Sequence, residues 1–278
     1  MFNFNDVKLE MLVPGCGKIT AERDGLVYRK TTPHIIFAQA EVGHYELDAA
    51  GQHLQLAPGE ALFTPPNLPL TITHRVDPES GEMRMRRLHF NVMLWGGIPI
   101  DTMFEFPLRV NRDIGEQLAA PIEELLRLQN QHTLTAAIRK NLVGYTCLQI
   151  LMPLLTPKSN LAGFSLYSSR LIPIVEYIRK HLDWKLTVSE LAAHSKMSRA
   201  GLYQLFAATL NVAPHQYLNR LRLELVAEKL RGTDQTIGEI AEEMDFPNQF
   251  LLSRQFKAQY GLSPSEYRQS KAWQYDGL

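Results

Sequence analysis

Thr236-Ile237-Gly238-Glu239-Ile240-Ala241, followed by Phe256, Pro264 and Tyr267, restates an earlier stretch: Thr187-Val188-Ser189-Glu190-Leu191-Ala192, followed by Phe206, Pro214 and Tyr217. The interval is about 50 residues, and a fixed period of that size marks a repeated supersecondary unit. In each copy a Thr and a Glu three positions later form a capping box. The hydroxyl accepts from an orphan amide of the first turn, and the carboxylate reaches back to the Thr amide. A short helix follows, with Val188, Leu191 and Ala192, or Ile237, Ile240 and Ala241, facing inward. Then comes a tight turn, Ser195-Lys196-Met197 or Asp245-Phe246-Pro247. Ser198 or Asn248 is suited to cap the next helix. Leu202, Leu205 and Phe206 in one copy, and Leu252 and Phe256 in the other, are the expected core. Each copy therefore reads as a helix-turn-helix, over about 187–208 and about 236–259.

The outward face of each second helix is what remains for a partner. In the first copy it is Arg199, Ala200, Tyr203, Gln204 and Ala207, with Ser198 at the helix start. In the second it is Gln249, Phe250, Ser253, Arg254 and Lys257, with Asn248 at the start. Side chains near the N-terminus of such a helix reach base edges in the major groove of duplex DNA. Gln suits adenine, Arg suits guanine or phosphate, and Ala or Phe can touch a thymine methyl. Helix N-terminal amides favour phosphate. Between the two copies a helix is predicted from Pro214, a natural first-turn residue, to about Arg231, ended by Gly232. Its apolar face is Tyr217, Leu218, Leu221, Leu225 and Leu230. Some 17 residues at 1.5 Å each give roughly 25 Å. A rod of that order can set two reading helices near one turn of B-DNA apart, about 34 Å.

Formal net charge is zero, from 29 Lys and Arg against 29 Asp and Glu. Divided near Arg170, the C-terminal part carries about 14 basic and 12 acidic residues and the remainder about 15 and 17, a small asymmetry of the sign a DNA reader needs. Cys16 and Cys147 have no ligand-like spacing and read as two thiols in a reducing compartment. Met1-Phe2-Asn3-Phe4-Asn5-Asp6 lacks the basic-then-apolar order of a leader. No stretch approaches the ~18 apolar residues of a membrane span. The expected location is the cytoplasm.

Residues from about 20 to 95 read as short strands and turns, which favours a sandwich or barrel. The strands are His34–Ala40, Gln52–Leu56, Ala61–Thr64 and Met85–Val92, separated by Pro- and Gly-bearing breaks. Then the period changes. Ile114, Leu118, Ile122, Leu125 and Leu126 recur at helical spacing, as do Ile138, Leu142, Tyr145, Leu148 and Leu151. These stripes suit packing on the barrel or, alternatively, a dimer seam. Lys158–Gly163 reads as a linker, and a last helical block is expected from near Leu171.

The second copy carries a family resemblance in Ile237-Gly238-Glu239-Ile240-Ala241, Phe246, Phe250-Leu251-Leu252-Ser253-Arg254-Gln255-Phe256-Lys257 and Tyr260-Gly261-Leu262-Ser263-Pro264-Ser265-Glu266-Tyr267-Arg268. With Tyr217-Leu218-Asn219-Arg220-Leu221-Arg222 it resembles the AraC/XylS family of bacterial transcription regulators over roughly the last hundred residues. Asp245 departs from the Gly usual there, and Asp tolerates the left-handed conformation such a turn needs. More weakly, Leu56–Pro66 and Leu88-His89-Phe90 resemble the cupin-type sensor domain common in that family. The resemblance implies an α+β chain in two parts. Residues 1–160 would form a cupin-like β-barrel with trailing helices that senses ligand and dimerises. Residues 170–278 would form an all-α DNA-binding domain, two helix-turn-helix units joined by a long helix. The implied partners are double-stranded DNA, a small-molecule effector (a sugar or another carbon source among the choices) and a second copy of the chain. An activator role adds RNA polymerase.

Met85, Arg87 and His89 share one face by strand alternation, and if that face is inward, Arg87 and His89 suit a polyol or a carboxylate. No cofactor, metal or catalytic residue is expected. The histidines His34, His44, His53, His74 and His89 are scattered, without the clustered ligand set of a metal-dependent cupin enzyme. No nucleophile elbow or phosphate-cradling glycine loop occurs. The remaining alternative is a ligand-independent DNA-binding regulator whose barrel only dimerises.

Overall fold

The computed structural model describes residues 7–95, 97–159, 161–182, 186–260 and 262–269. The opening stretch Met1–Asp6, Asn160 of the expected linker and Gly261 of the closing motif lie outside them. The chain divides into two compact units. Of the described residues, one comprises Leu9–Val92 and Phe104–Thr156; the other comprises residues 7–8, 93–103 and 157–269.

The strands are β1 (Val7–Thr20), β2 (Leu26–Lys30), β3 (Ile35–Val42), β4 (His44–Ala49), β5 (Gln52–Leu56), β6 (Ala61–Thr64), β7 (Leu70–Arg75), β8 (Glu82–Leu94), β9 (Ile98–Pro99), β10 (Phe104–Glu105), β11 (Arg109–Val110) and β12 (Thr156–Pro157). One sheet runs β1-β8-β3-β6-β11, with β9 on the end of β8, and another runs β2-β7-β4-β5. Both contribute to one core. Ile36, Ala38 and Ala40 of β3 and Met83 and Met85 of β8 meet Tyr45 and Leu47 of β4 and Ile72 of β7. The cross-strand register Ile36↔His89, Ala38↔Arg87, Ala40↔Met85 puts the Met85-Arg87-His89 face inward. The four strands expected from the sequence are present, and β1, β2, β4 and β7 join them. β7 alternates strictly, with Leu70, Ile72 and His74 buried, the period of a strand covered on one side.

Two helices complete this unit, α1 (Arg112–Leu128) and α2 (Leu134–Leu151). Asn111 caps α1 by accepting from the Ile114 amide, and Thr133 caps α2. In α1 the predicted stripe is buried at Leu118, Ile122 and Leu125. The predicted stripe of α2 divides. Leu148 and Leu151 are buried, but Ile138, Leu142 and Tyr145 are exposed, so core packing is corrected for those three. The buried side of α2 is instead Ala136, Val143, Gly144 and Cys147. Small residues let the helix approach β1 closely. A Cβ on Gly144 would come within 2.5 Å of Leu9 and 2.7 Å of Leu12. Burial pushes the Cys147 thiol up to about 12, so this sulfur is inert. Cys16 is exposed, and both cysteines are free.

The second unit is helical: α3 (Leu161–Lys180), α4 (Val188–His194), α5 (Arg199–Leu210), α6 (Pro214–Gly232), α7 (Ile237–Glu243), α8 (Gln249–Tyr260) and α9 (Pro264–Gln269). α3 starts at Leu161, not near Leu171, so Leu161-Ala162-Gly163 is helix where a linker was expected. Gly163 and Pro173 obscured the periodicity, and tertiary packing overrides them. Phe164 stacks on Trp95 at 4.5 Å, and Leu171, Ile174, Val175 and Ile178 are buried. α6 has 19 residues, about 28 Å of rod at 1.5 Å each. Its buried face holds Tyr217, Leu218, Leu221 and Leu230 as predicted, and also Leu223, Val226 and Ala227. The Tyr217 hydroxyl donates to Gly97 O at 3.1 Å, and burial pushes its phenol up to about 12.

Candidate nucleic-acid interface and inter-sheet cavity

The two helix-turn-helix units are built by matching local chemistry. The Thr187 amide donates to Glu190 Oε2 at 2.7 Å, and the Glu190 amide donates to Thr187 Oγ1 at 3.2 Å. Thr236 and Glu239 repeat both bonds at 2.6 and 3.2 Å. These bonds hold the Glu190 and Glu239 carboxyls below the usual carboxylate range. Both turns cross the left-handed region at the same place, Lys196 at φ 52° and Asp245 at φ 58°. Past each, an amide returns to the first helix, Met197 to Ala192 O and Phe246 to Ala241 O. Leu191, Ala192, Leu202, Leu205 and Phe206 are buried in the first unit, and Ile240, Ala241, Leu252 and Phe256 in the second.

The predicted site residues fall into two groups. Arg199, Ala200, Gln204, Gln249, Phe250, Arg254 and Lys257 are exposed, and Ser253 is half-buried. Phe250 is 76% exposed, an apolar side chain at the start of α8 that the protein does not cover. The other three have structural work. Ser198 Oγ accepts from the Gly201 amide at 3.1 Å, and Asn248 Oδ1 accepts from the Leu251 amide at 2.8 Å. The half-buried Tyr203 places its hydroxyl 3.2 Å from His215 Nδ1 of α6. The caps leave the first backbone amides of α5 and α8 at an open helix N-terminus, where phosphate is favoured.

The other feature is a cavity of about 30 Å³ between the two sheets. Arg87 and His89 both line it, joined by Lys30 from β2 and His74 from β7, with Tyr28 and Tyr45 alongside. Lys30 and His74 were missed from the sequence because β2 and β7 were not parsed as strands. Alternation in Leu70-Thr71-Ile72-Thr73-His74 was the signal for His74. Its ring lies edge-on to Tyr28 and Tyr45 at 5.1 Å each, with Nδ1 3.2 Å from Leu26 O. Burial, and then Lys30 and Arg87, push its pKa down to about 4. His89 is driven well below its ordinary value by burial, with Lys30, His34 and Arg87 adding to it. Among the described residues, no group of three or more His, Cys, Asp or Glu is placed to hold a metal ion, and no helix is long and apolar enough to cross a membrane.

A buried imidazole held neutral gives a pH prediction. Its unfolded pKa is near 6.5, so the unfolded chain binds the extra proton below that value and stability is lost as pH falls from about 6.5 toward 4. For His74 (pKa about 4 in the fold) the loss at pH 4 relative to pH 7 is about 3 kcal/mol. Urea midpoints across that range should fall less steeply in His74→Phe than in the wild type. Parallel profiles would show that His74 does not carry this dependence.

Two capped bihelical units on one connecting helix define a DNA-reading module. A Helix-turn-helix domain family model matches residues 191–270. The chain is 30% identical over 95 residues to Regulatory protein SoxS of Salmonella typhimurium, covering 34% of this chain and 89% of SoxS. It is 31% identical over 98 residues to the Probable transcriptional regulator LumQ of Photobacterium leiognathi, covering 35% of this chain and 40% of LumQ. The chain belongs to the AraC family of transcription regulators. It spans between about a third and a half of the length of the first curated relatives it matches. Over the whole fold it is similar to ToxT from Vibrio cholerae, with a TM-score of 0.51, 10% identity and coverage of 92% of this chain and 97% of ToxT. That likeness is one of fold: an antiparallel sheet-rich N-terminal part and a helical C-terminal part.

Proposed function

We propose that this protein is a sequence-specific, DNA-binding transcription regulator that acts as a homodimer and responds to a small molecule held between its N-terminal sheets. The observation that carries the DNA-binding reading is the exposed N-terminal half of α8, where Gln249 and Phe250 of the first turn and Arg254 of the second face solvent. α5 presents Arg199, Ala200 and Gln204 in the corresponding place. Each set can enter a major groove with its helix N-terminus against the phosphates. Residues 1–160 form the sensing and dimerising part in this reading, and residues 170–278 the DNA-binding part. The inter-sheet cavity favours sensing over a barrel that only dimerises. A ligand with different affinity for two arrangements of the dimer shifts which one occupies adjacent half-sites.

Genome-wide mapping of bound sites tests the regulator, and its operator then serves for titration at fixed salt. Arg254→Ala is expected to weaken operator binding by ~1–3 kcal/mol and to relax preference at one position. Its urea midpoint should stay at the wild-type value, since the side chain is exposed. Unchanged affinity would remove Arg254 from base reading.

A further inference from the structure

A second space lies on the outer face of the first sheet, where α1 meets it. It is a cleft of about 340 Å³ bounded by β3, β8, the turn at Pro58-Gly59 and α1, all within the sheet-rich unit. Ile36, Ala38 and Ala40 of β3 enter the inter-sheet core, so Gln39 points the other way, and its cross-strand partner there is Arg86 of β8. The pairing slips by one residue at Glu41, since Ala40 and Val42 oppose Met85 and Arg84. A bulge of this kind re-aims a side chain. Glu41 ends beside Arg86, whose Nε donates to Glu41 Oε1 at 2.6 Å.

The walls are fixed before any ligand arrives. Gln39 Nε2 donates to Gly59 O at 2.7 Å, and Arg112 Nη2 donates to Pro58 O at 2.8 Å. Gly59, at φ 88°, makes room for the Arg112 guanidinium, and Gly115 of α1 makes room for the Gln39 amide; a Cβ on either would collide with that side chain. These bonds leave part of each group unspent. Gln39 is 3% exposed, yet its Oε1 has no hydrogen-bond partner, and neither has the buried Nη1 of Arg86. Buried polar atoms are ordinarily paired, because burial has already removed their water. Here an unpaired acceptor and an unpaired donor belong to cross-strand neighbours that line a cleft large enough to hold their partners.

Charge selects the partner. The lining carries two guanidiniums, Arg86 and Arg112, and two carboxylates, Glu41 and Glu116. A phosphate would meet both carboxylates, and a simple cation would meet both guanidiniums. A zwitterion suits both signs, with its carboxylate on a guanidinium and its ammonium on a carboxylate and an amide oxygen. Among the described residues that line the cleft there is no aromatic ring on which a sugar could lay its C–H face, and Pro58 and Ala119 are the apolar surface. The occupant is therefore polar along its length. The volume is at the lower end of the roughly 300–1,000 Å³ of small-molecule sites.

We propose that this cleft binds an α-amino acid with a side-chain carboxamide. Its head group lies on Gln39, Glu41 and Arg86. Its carboxamide accepts from Arg112 and donates to Glu116, one turn apart on α1. The site is separate from the inter-sheet cavity, and its occupant ties α1 to β3 and β8.

The test is calorimetric titration of the full-length protein at pH 7 and constant ionic strength. The probes are L-glutamine and L-asparagine. The controls are L-glutaminamide, which lacks the carboxylate, N-acetyl-L-glutamine, which lacks the ammonium, inorganic phosphate and D-xylose. Operator binding is measured on the same samples. The tighter of the two amino acids should bind at least about tenfold more tightly than each control, and Arg112→Met and Glu116→Gln should each weaken it by about tenfold. Glu116 is exposed, so Glu116→Gln should do this at an unchanged urea midpoint, which separates loss of the site from loss of fold. Equal binding of either blocked derivative, preferred binding of phosphate or xylose, or amino-acid binding indifferent to both variants overturns the proposal. No binding of either amino acid by a protein that still holds its operator also overturns it, and leaves the DNA-binding and inter-sheet sensing readings standing.

Discussion

Phe256→Ala is expected to lose about 3–5 kcal/mol of stability, the range for removing a fully buried phenyl group, and with it specific DNA binding. Phe256 is wholly buried on the inward side of α8. It stacks on Tyr260 at 4.3 Å and meets the edge of Tyr267 at 5.1 Å. The same cluster holds Leu223, Val226 and Leu230 of the rod, Ile240 and Ala241 of α7, and Met244 just past its end. The cluster around this side chain thus joins α6, α7, α8 and α9. Removing it opens a cavity where the reading helix is seated on its supports, so Gln249 and Arg254 lose their fixed presentation along with the stability. Urea unfolding monitored by circular dichroism gives the first quantity and operator titration the second. Phe256→Leu should keep most of both, because the volume is largely restored. A loss below about 1 kcal/mol in Phe256→Ala would show that this cluster does not hold the second unit together.

The contrast with Arg254→Ala is the useful one. Phe256 and Arg254 are two positions apart on α8 and face opposite ways, one into the cluster and one to solvent. A fold defect and a recognition defect can therefore be told apart within one helix. The same division made the helix-turn-helix units legible from the sequence. Thr187 with Glu190, Thr236 with Glu239, Ser198 and Asn248 act on amides three residues away, so their chemistry is local and is repeated. Even Asp245, the departure from the family pattern, was readable, because a left-handed turn residue acts on its own backbone.

What was not legible depended on partners far along the chain. Lys30 and Arg87 line one cavity only because the two sheets enclose a common core, and no spacing within β2 announces it. His74 sits in an alternating stretch, but alternation says which side is covered and not what covers it. α3 was read as starting ten residues late because Gly163 and Pro173 mask its period, while the packing of Phe164 on Trp95 that holds its first half is a contact over a long separation. In α2 the periodicity was real and right for Leu148 and Leu151, but it named the wrong side for Ile138, Leu142 and Tyr145. The buried stripe is made of Ala136, Gly144 and Cys147 beside Val143, residues too small to stand out in a hydrophobic pattern.

That reversal leaves an apolar face on α2 with a definite consequence. Leu134, Ile138, Leu142 and Tyr145 are 78%, 61%, 55% and 42% exposed. Their spacing of four, four and three residues sets them on one side of the helix. A row of large apolar side chains at that spacing suits an interface, and we propose a second copy of the chain as its occupant, the seam of the proposed homodimer. In an isologous contact each residue is used twice. Ile138→Glu with Leu142→Glu therefore removes four apolar side chains from the dimer. At roughly 1 kcal/mol for each half-exposed side chain that becomes covered, the loss is about 4 kcal/mol, near a thousandfold in the dimer dissociation constant. Placing four carboxylates in the seam only adds to it. Sedimentation should find the wild type dimeric at concentrations where the double variant is monomeric. The urea midpoint of the monomer should hardly move, because neither position belongs to its core. Operators with two half-sites should lose occupancy, while a single half-site should be bound as before. If the double variant stays dimeric, or if it unfolds early without changing its mass, α2 is not the seam.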